Sequence, residues 1–201
     1  MTIQSLCRFA ALCAAVSAPA FAQTSSVLDP AGDAFLPGAA HSVAPGWLDI
    51  VAADFTIEAD GSWTFQVTVA EPVPAALPNP PGQDADFVWA FPMDLDPLNL
   101  VCGAPFPNDH FCTPPERGVA ITWDGTSFTG ALNSRIDDLT APLSVTVNGD
   151  TLSISLPASL ASQLSPLPGA RWRALALLAH TAVPSDGILF ADATPWTAWP
   201  Q

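Results

Sequence analysis

The sequence contains no lysine and no tyrosine, and its five basic residues, all arginine, stand against 19 acids. A formal net charge of −14 at pH 7 leaves no basic stripe for a polyanion, which argues against nucleic acid and anionic lipid as partners. Cysteine is scarce: Cys7, Cys13, Cys102 and Cys112 include no closely paired C-x-x-C spacing of the kind zinc sites use. The apolar stretch Phe9–Val16 is far too short to span a bilayer, so membrane insertion is not expected. Catalytic motifs are missing as well. There is no G-x-S-x-G elbow, and His41, His110 and His180 lie apart without metalloprotease spacing. The paired acids Asp94/Asp96 and Asp137/Asp138 are too close in sequence to flank a glycosidic bond from two sides. The expectation is a protein that is not an enzyme.

What is present begins with an address. Arg8 supplies a positive start, Phe9–Val16 an apolar core, and Ala20-Phe21-Ala22 a small-residue cleavage pattern. Residues 1–22 therefore read as a cleaved secretory signal and residues 23–201 as one domain, secreted or periplasmic. In that oxidising setting Cys102 and Cys112 are the two remaining thiols, and a disulfide between them is expected. Closing so short a loop contributes at most roughly 3 kcal/mol through chain entropy.

The body of the chain alternates with a period of two. Trp63, Phe65, Val67 and Val69 interleave with polar residues, and Asp60-Gly61 joins them to the run Ile50–Ile57 as a hairpin. The apolar phase of that run changes between Ala52 and Phe55, which places a β-bulge near Ala53–Asp54. Phe87, Trp89, Phe91, Met93 and Leu95 alternate next, followed by Val119, Ile121 and Trp123 with Asp124-Gly125 as a turn. Val145 and Val147 face Leu152, Ile154 and Leu156 across Asn148-Gly149-Asp150. Pro157–Leu164 reads as one short helix, Trp172–His180 as a buried strand whose alanines and leucines leave helix open, and Ile188–Phe190 as another apolar run before the tail. Residues 71–85 and 97–116 are proline-bearing loops. The predicted fold is all-β, an antiparallel β-sandwich of roughly nine strands with at most one short helix.

Two sets of residues are candidates for binding. Asp29, Asp33 and Asp49 bracket an irregular stretch with Pro30 and Gly32, where carboxylates and loop carbonyls can converge on a hard cation such as calcium. The same acids also suit Asx turn caps, which need no metal. Asp94-Leu95-Asp96 begins like a calcium loop, but Leu98 and the absence of the later glycine and glutamate exclude an EF-hand. Among the seven tryptophans, Trp63, Trp89 and Trp123 fall in the apolar phase of strands and read as core. Trp47, Trp196 and Trp199 lie in loops or the tail and are the candidates for a surface platform that stacks on a sugar ring. A neutral glycan or other small neutral ligand is the expected partner, because the net charge repels polyanions.

The order Asp29-Pro-Ala-Gly-Asp33, then Gly46-Trp-Leu-Asp-Ile-Val51, then Phe87-Val-Trp-Ala-Phe-Pro-Met-Asp-Leu-Asp-Pro97 resembles exported DOMON-like sandwiches. These include the glucodextranase C-terminal type and family 9 carbohydrate-binding modules. Arg171-Trp172-Arg173-Ala174 and the tail Asp192–Pro195 are similar to the same group. The resemblance implies a calcium-supported sandwich that binds sugars, with Asp29, Gly32, Asp33 and Asp49 matching the opening motif. The chain carries no specific sugar-binding signature of the group, so the resemblance speaks to fold more than to ligand. In some branches it implies haem held between a methionine and a histidine, for which Met93 and His180 are the pair. An exported structural or surface-association protein without a small ligand is the remaining class.

Overall fold

In the computed structural model, residues 21–36, 42–75, 77, 85–97, 117–134, 137, 139–180 and 188–200 are described. They form an antiparallel β structure of two layers folded from one continuous 12-stranded sheet, with a separate two-stranded ribbon.

The first layer runs in the order β1 (Gln23–Leu28), β4 (Ile50–Ile57), β5 (Trp63–Val69), β10 (Thr151–Leu156) and β9 (Ala141–Asn148). Its inner face is the alternating set read from the sequence: Trp63, Phe65, Val67 and Val69 are buried, as are Leu152, Ile154 and Leu156. The second layer continues from β9 through β8 (Phe128–Ser134) and β7 (Arg117–Trp123) to β6 (Ala85–Asp94). Beyond β6 it forks. The start of β6 pairs with β12 (Leu175–His180), which pairs with β13 (Ile188–Ala193). The end of β6 pairs with β11 (Arg171–Trp172), which pairs with β14 (Thr197–Ala198). The ribbon joins β2 (Phe35–Leu36) to β3 (Ser42–Val43).

Strand β9 belongs to both layers. Ala141–Leu143 pair with β8, whereas Ser144–Asn148 pair with β10, so the sheet turns a corner within one strand. On the opposite side the Ser25 hydroxyl donates to the Ala198 carbonyl at 2.7 Å, bringing β1 against β14 and nearly closing the structure. Phe65 meets Phe91 across the layers at 5.4 Å between ring centroids, and Phe55 meets Trp172 at 5.9 Å. Such edge-to-face and tilted contacts suit the aromatic quadrupole and contribute beyond area burial. The Asn148-Gly149-Asp150 hairpin has the expected tight form: Asn148 pairs with Thr151, and Gly149 takes φ +64°, which glycine tolerates without Cβ strain.

Four expectations change in detail. The strand count rises from nine to twelve in the main sheet, chiefly because β1 is polar and the two-residue strands carry no period. The expected strand Trp172–His180 divides into β11 and β12, with Arg173 and Ala174 between them. The bulge in β4 lies at Val51 rather than Ala53–Asp54, because the register with β5 slips between Ile50 and Ala52. The helix is shorter than Pro157–Leu164, covering Ala158–Ala161 with Pro157 as its N-cap. Among the described residues no helix is long and apolar enough to cross a membrane.

Candidate metal centre and adjoining groove

Two loops and one strand end build the acidic site. Strand β1 pairs with β4 through Leu28, and the Asp29 N–H extends that ladder to the Val51 carbonyl at 3.0 Å. The chain then turns at Gly32, whose φ of +86° is open to glycine and strained for most other residues. The turn is held from the other side, where Asp49 Oδ2 accepts the Gly32 N–H at 2.7 Å. A single 3-10 turn, Gly46–Leu48, delivers Asp49 to that position with Trp47 and Leu48 buried beneath it.

The third contribution comes from the far end of the sequence. Strand β13 brings Asp192 to the same place, where Oδ2 accepts the Ile50 N–H at 2.6 Å and Oδ1 the Ala193 N–H at 2.7 Å. Carboxylate oxygens of Asp29, Asp33 and Asp192 lie within 4.8 Å of one another. Asp33 is exposed, Asp29 half-buried and Asp192 buried, so the cluster opens to solvent on one side.

Of the three acids expected from the sequence, Asp29 and Asp33 do meet, and their closest third partner is Asp192. Asp49 stands beside the cluster with one oxygen committed to Gly32. Its other oxygen, Oδ1, is buried without a hydrogen-bond donor, and so is Asp29 Oδ2. The Asp49 residue is only 5% exposed. A buried carboxylate oxygen without a donor is costly unless a cation completes it. Burial, then repulsion from Asp33 and Asp49, pushes the Asp29 carboxyl up to about 6. Burial pushes Asp192 up to about 7, against the Ile50 and Ala193 N–H groups that favour its ionised form; Asp29 and Asp33 add to the rise. The donor set is all oxygen, from several carboxylates on an irregular backbone with an open side for water. A donor set of that kind suits a hard cation, whose remaining positions water or loop carbonyls would fill.

Asp192 escaped the sequence reading as a ligand. The signal was an acid directly after the apolar run Ile188–Ala191, where a strand side chain has to find a partner.

The tryptophans separate. Trp47 is 6% exposed and packs edge-on against Phe87 at 4.7 Å between ring centroids, so it belongs to the core and offers no surface platform. Trp199 is half-buried, with its ring against Phe55 at 4.6 Å and Trp63 at 5.0 Å. Trp196 is half-buried and carries two guanidinium groups over its ring, Arg171 at 4.9 Å and Arg173 at 4.8 Å. Trp196 and Trp199 line an open groove of about 480 Å³ together with Pro166–Arg171 and Pro200. Trp63, Trp89 and Trp123 are core residues, as their phase indicated.

The haem pair does not assemble. Met93 is fully buried and sits opposite Trp172, whereas His180 is in register with Ala85. Eight positions of β6 separate those two points, roughly 26 Å at 3.3 Å per residue, too far for one iron. Cys102, Cys112, His41 and His110, and most of the signal segment, lie outside the described residues.

Fold and site together define an antiparallel β-sandwich with a carboxylate cluster where its two layers meet. No protein-family model, curated protein or solved structure matches the chain, and nothing in those comparisons identifies a DOMON-like or family 9 relationship.

Proposed function

We propose that the chain is an exported, non-catalytic binding sandwich, fastened by a calcium-type cation among Asp29, Asp33 and Asp192, with a glycan as its ligand. The observation that carries the cation is the buried, donorless Oδ2 of Asp29 among three convergent carboxylates. In this reading the cation replaces mutual repulsion by attraction at the point where β1, β4 and β13 come together. The ligand half of the reading is supported by the groove along Trp196, whose size falls in the range of small-ligand sites. One aromatic face contributes on the order of 1 kcal/mol beyond burial, so a single platform binds weakly, near millimolar.

The test has two arms. Calcium added to chelator-treated protein is expected to raise the melting temperature with concentration, since it binds the folded state alone. Asp33→Ala is expected to abolish that rise. Retention on a panel of insoluble polysaccharides is expected to depend on Trp196. A melting curve indifferent to calcium removes the cation, and no retention on any glycan favours an exported structural protein instead.

A further inference from the structure

The sequence has no lysine, so the only primary amine a processed chain can carry is the α-amino group of its first residue. The Ala20-Phe21-Ala22 pattern puts the cut directly before Gln23, and Gln23 is also the first residue of β1. Phe21 is 81% exposed, Ala22 is exposed, and neither belongs to a strand. The bond to be cut therefore lies at the margin of the sheet, in open solvent.

Gln23 is itself exposed. It stands opposite Ile57 at the last rung of the β1–β4 ladder, and its side chain makes no hydrogen bond among the described residues. The end of an edge strand is where a ladder frays, so the side-chain amide is free to turn back on its own backbone. Once the peptide bond to Ala22 is gone, the amino nitrogen and the amide carbon Cδ belong to one residue. Groups held together in that way react as if at very high concentration. An α-amino group titrates at about 8, so part of it is neutral and nucleophilic at pH 7.

We propose that Gln23 closes on itself to a pyroglutamyl lactam, which leaves the mature chain without a single primary amine. The neutral amino nitrogen attacks Cδ, the bond from Cδ to the side-chain nitrogen breaks, and ammonia leaves with a proton from the amino group. No oxidant or co-reactant enters. The proposal rests on the exported reading above, through the cut after Ala22, and goes beyond it. In a chain with lysines the same ring closure changes one amine among many; here it removes the last one. An aminopeptidase then finds no free N-terminus, and the aldehyde of a reducing sugar finds no amine with which to form a Schiff base.

The test uses the full chain, expressed with its own leader, recovered after export and incubated at neutral pH until its mass is constant. The intact mass after reduction is expected to equal residues 23–201 less one ammonia. Fluorescamine in denaturant is expected to find no amine, against one per chain for Gln23→Ala. Pyroglutamyl peptidase is expected to restore one amine and to move the start to Thr24. A start at Gln23 with one reactive amine overturns the proposal and leaves the exported reading intact. A chain that keeps its leader overturns both, and a start at any other residue overturns the lactam alone. Fluorescamine reads the protein in solution, so a ring formed only during ionisation shows as lost ammonia with an amine still reactive, which also overturns it.

Discussion

Asp192 Oδ2 accepts the backbone N–H of Ile50 at 2.6 Å, joining positions 142 residues apart. The bond crosses between the layers, from the end of β13 to the start of β4, at the bulge where the β4–β5 register slips. An amide freed from its ladder by the bulge thus finds an acceptor, and a carboxylate buried at a strand end finds a donor. The same geometry turns the remaining charge of Asp192 toward Asp29 and Asp33.

Asp192→Asn is therefore expected to remove most of the calcium-dependent rise in melting temperature. An amide keeps an oxygen for the Ile50 N–H but loses the charge that a hard cation requires. Without calcium, near pH 8, relief of one clustered charge is set against the loss of the acceptor for the Ala193 N–H, which the amide NH2 cannot replace, so the calcium-dependent shift and not the baseline is the readout. Thermal denaturation of both proteins, with calcium and with chelator, checks this. A variant that responds to calcium like the wild type would place the cation elsewhere.

The pH dependence of the cation-free protein has a definite sign. The folded-state values of Asp29, about 6, and Asp192, about 7, lie above the ordinary value of 3.8. Between about pH 4 and 7 the folded state binds more protons than the unfolded one, so these groups make stability fall as pH rises. Asp60, Asp124 and Asp137, held low mainly by side-chain hydrogen bonds, act in the opposite sense only near and below pH 4. Melting temperature with chelator present is thus expected to decline from pH 5 to pH 8, and to flatten or invert with saturating calcium. A rise over the same range in chelator would contradict the carboxylate cluster.

Much of this was legible locally. Trp63, Phe65 and Val67 alternate with polar neighbours and are buried as that period requires, and Asn148-Gly149-Asp150 forms the turn its residues favour. Asp29 and Asp33 sit four positions apart around Gly32, so their convergence is a property of one loop. Asp192 is brought in by β13, and no pattern near position 29 announces it. Strand β1 was hidden for a related reason. As an edge strand paired only with β4, it leaves most of its side chains in solvent, so Gln23, Thr24 and Ser25 carry no apolar phase. Trp47 departs from the expectation of a free loop tryptophan because the 3-10 turn at Gly46–Leu48 tucks its ring against Phe87 of β6.

Trp47→Ala is accordingly expected to act on stability. Removing a buried tryptophan costs about 3–5 kcal/mol through lost burial and the cavity left behind. Urea denaturation is expected to show a lower midpoint with an unchanged slope. A loss below about 1 kcal/mol would mean that the ring is replaceable by solvent and not part of the core.

The corner in β9 depends on Gly130. Its register partner is Leu143, the last position before β9 leaves β8 and pairs with β10 instead. A Cβ at residue 130 would stand 2.7 Å from the Leu143 carbonyl oxygen, 2.7 Å from Val145 Cγ2 and 3.0 Å from Ile154 Cδ1. The oxygen belongs to backbone already committed to the sheet, so it cannot yield as the end of a flexible side chain would. Gly130→Ala is therefore expected to destabilise the protein by about 1–3 kcal/mol, the usual cost of overpacking. That loss outweighs the gain of up to about 1 kcal/mol that alanine brings by restricting the unfolded chain. Gly149→Ala provides the contrast, since nothing lies within 4 Å of its Cβ position and its cost comes from φ +64° alone. Chemical denaturation of the two variants separates crowding from backbone strain. If a further change of Val145 to alanine relieves Gly130→Ala in part, the crowding lies where the two layers join. A Gly130→Ala protein as stable as the wild type would show that the corner has room to open.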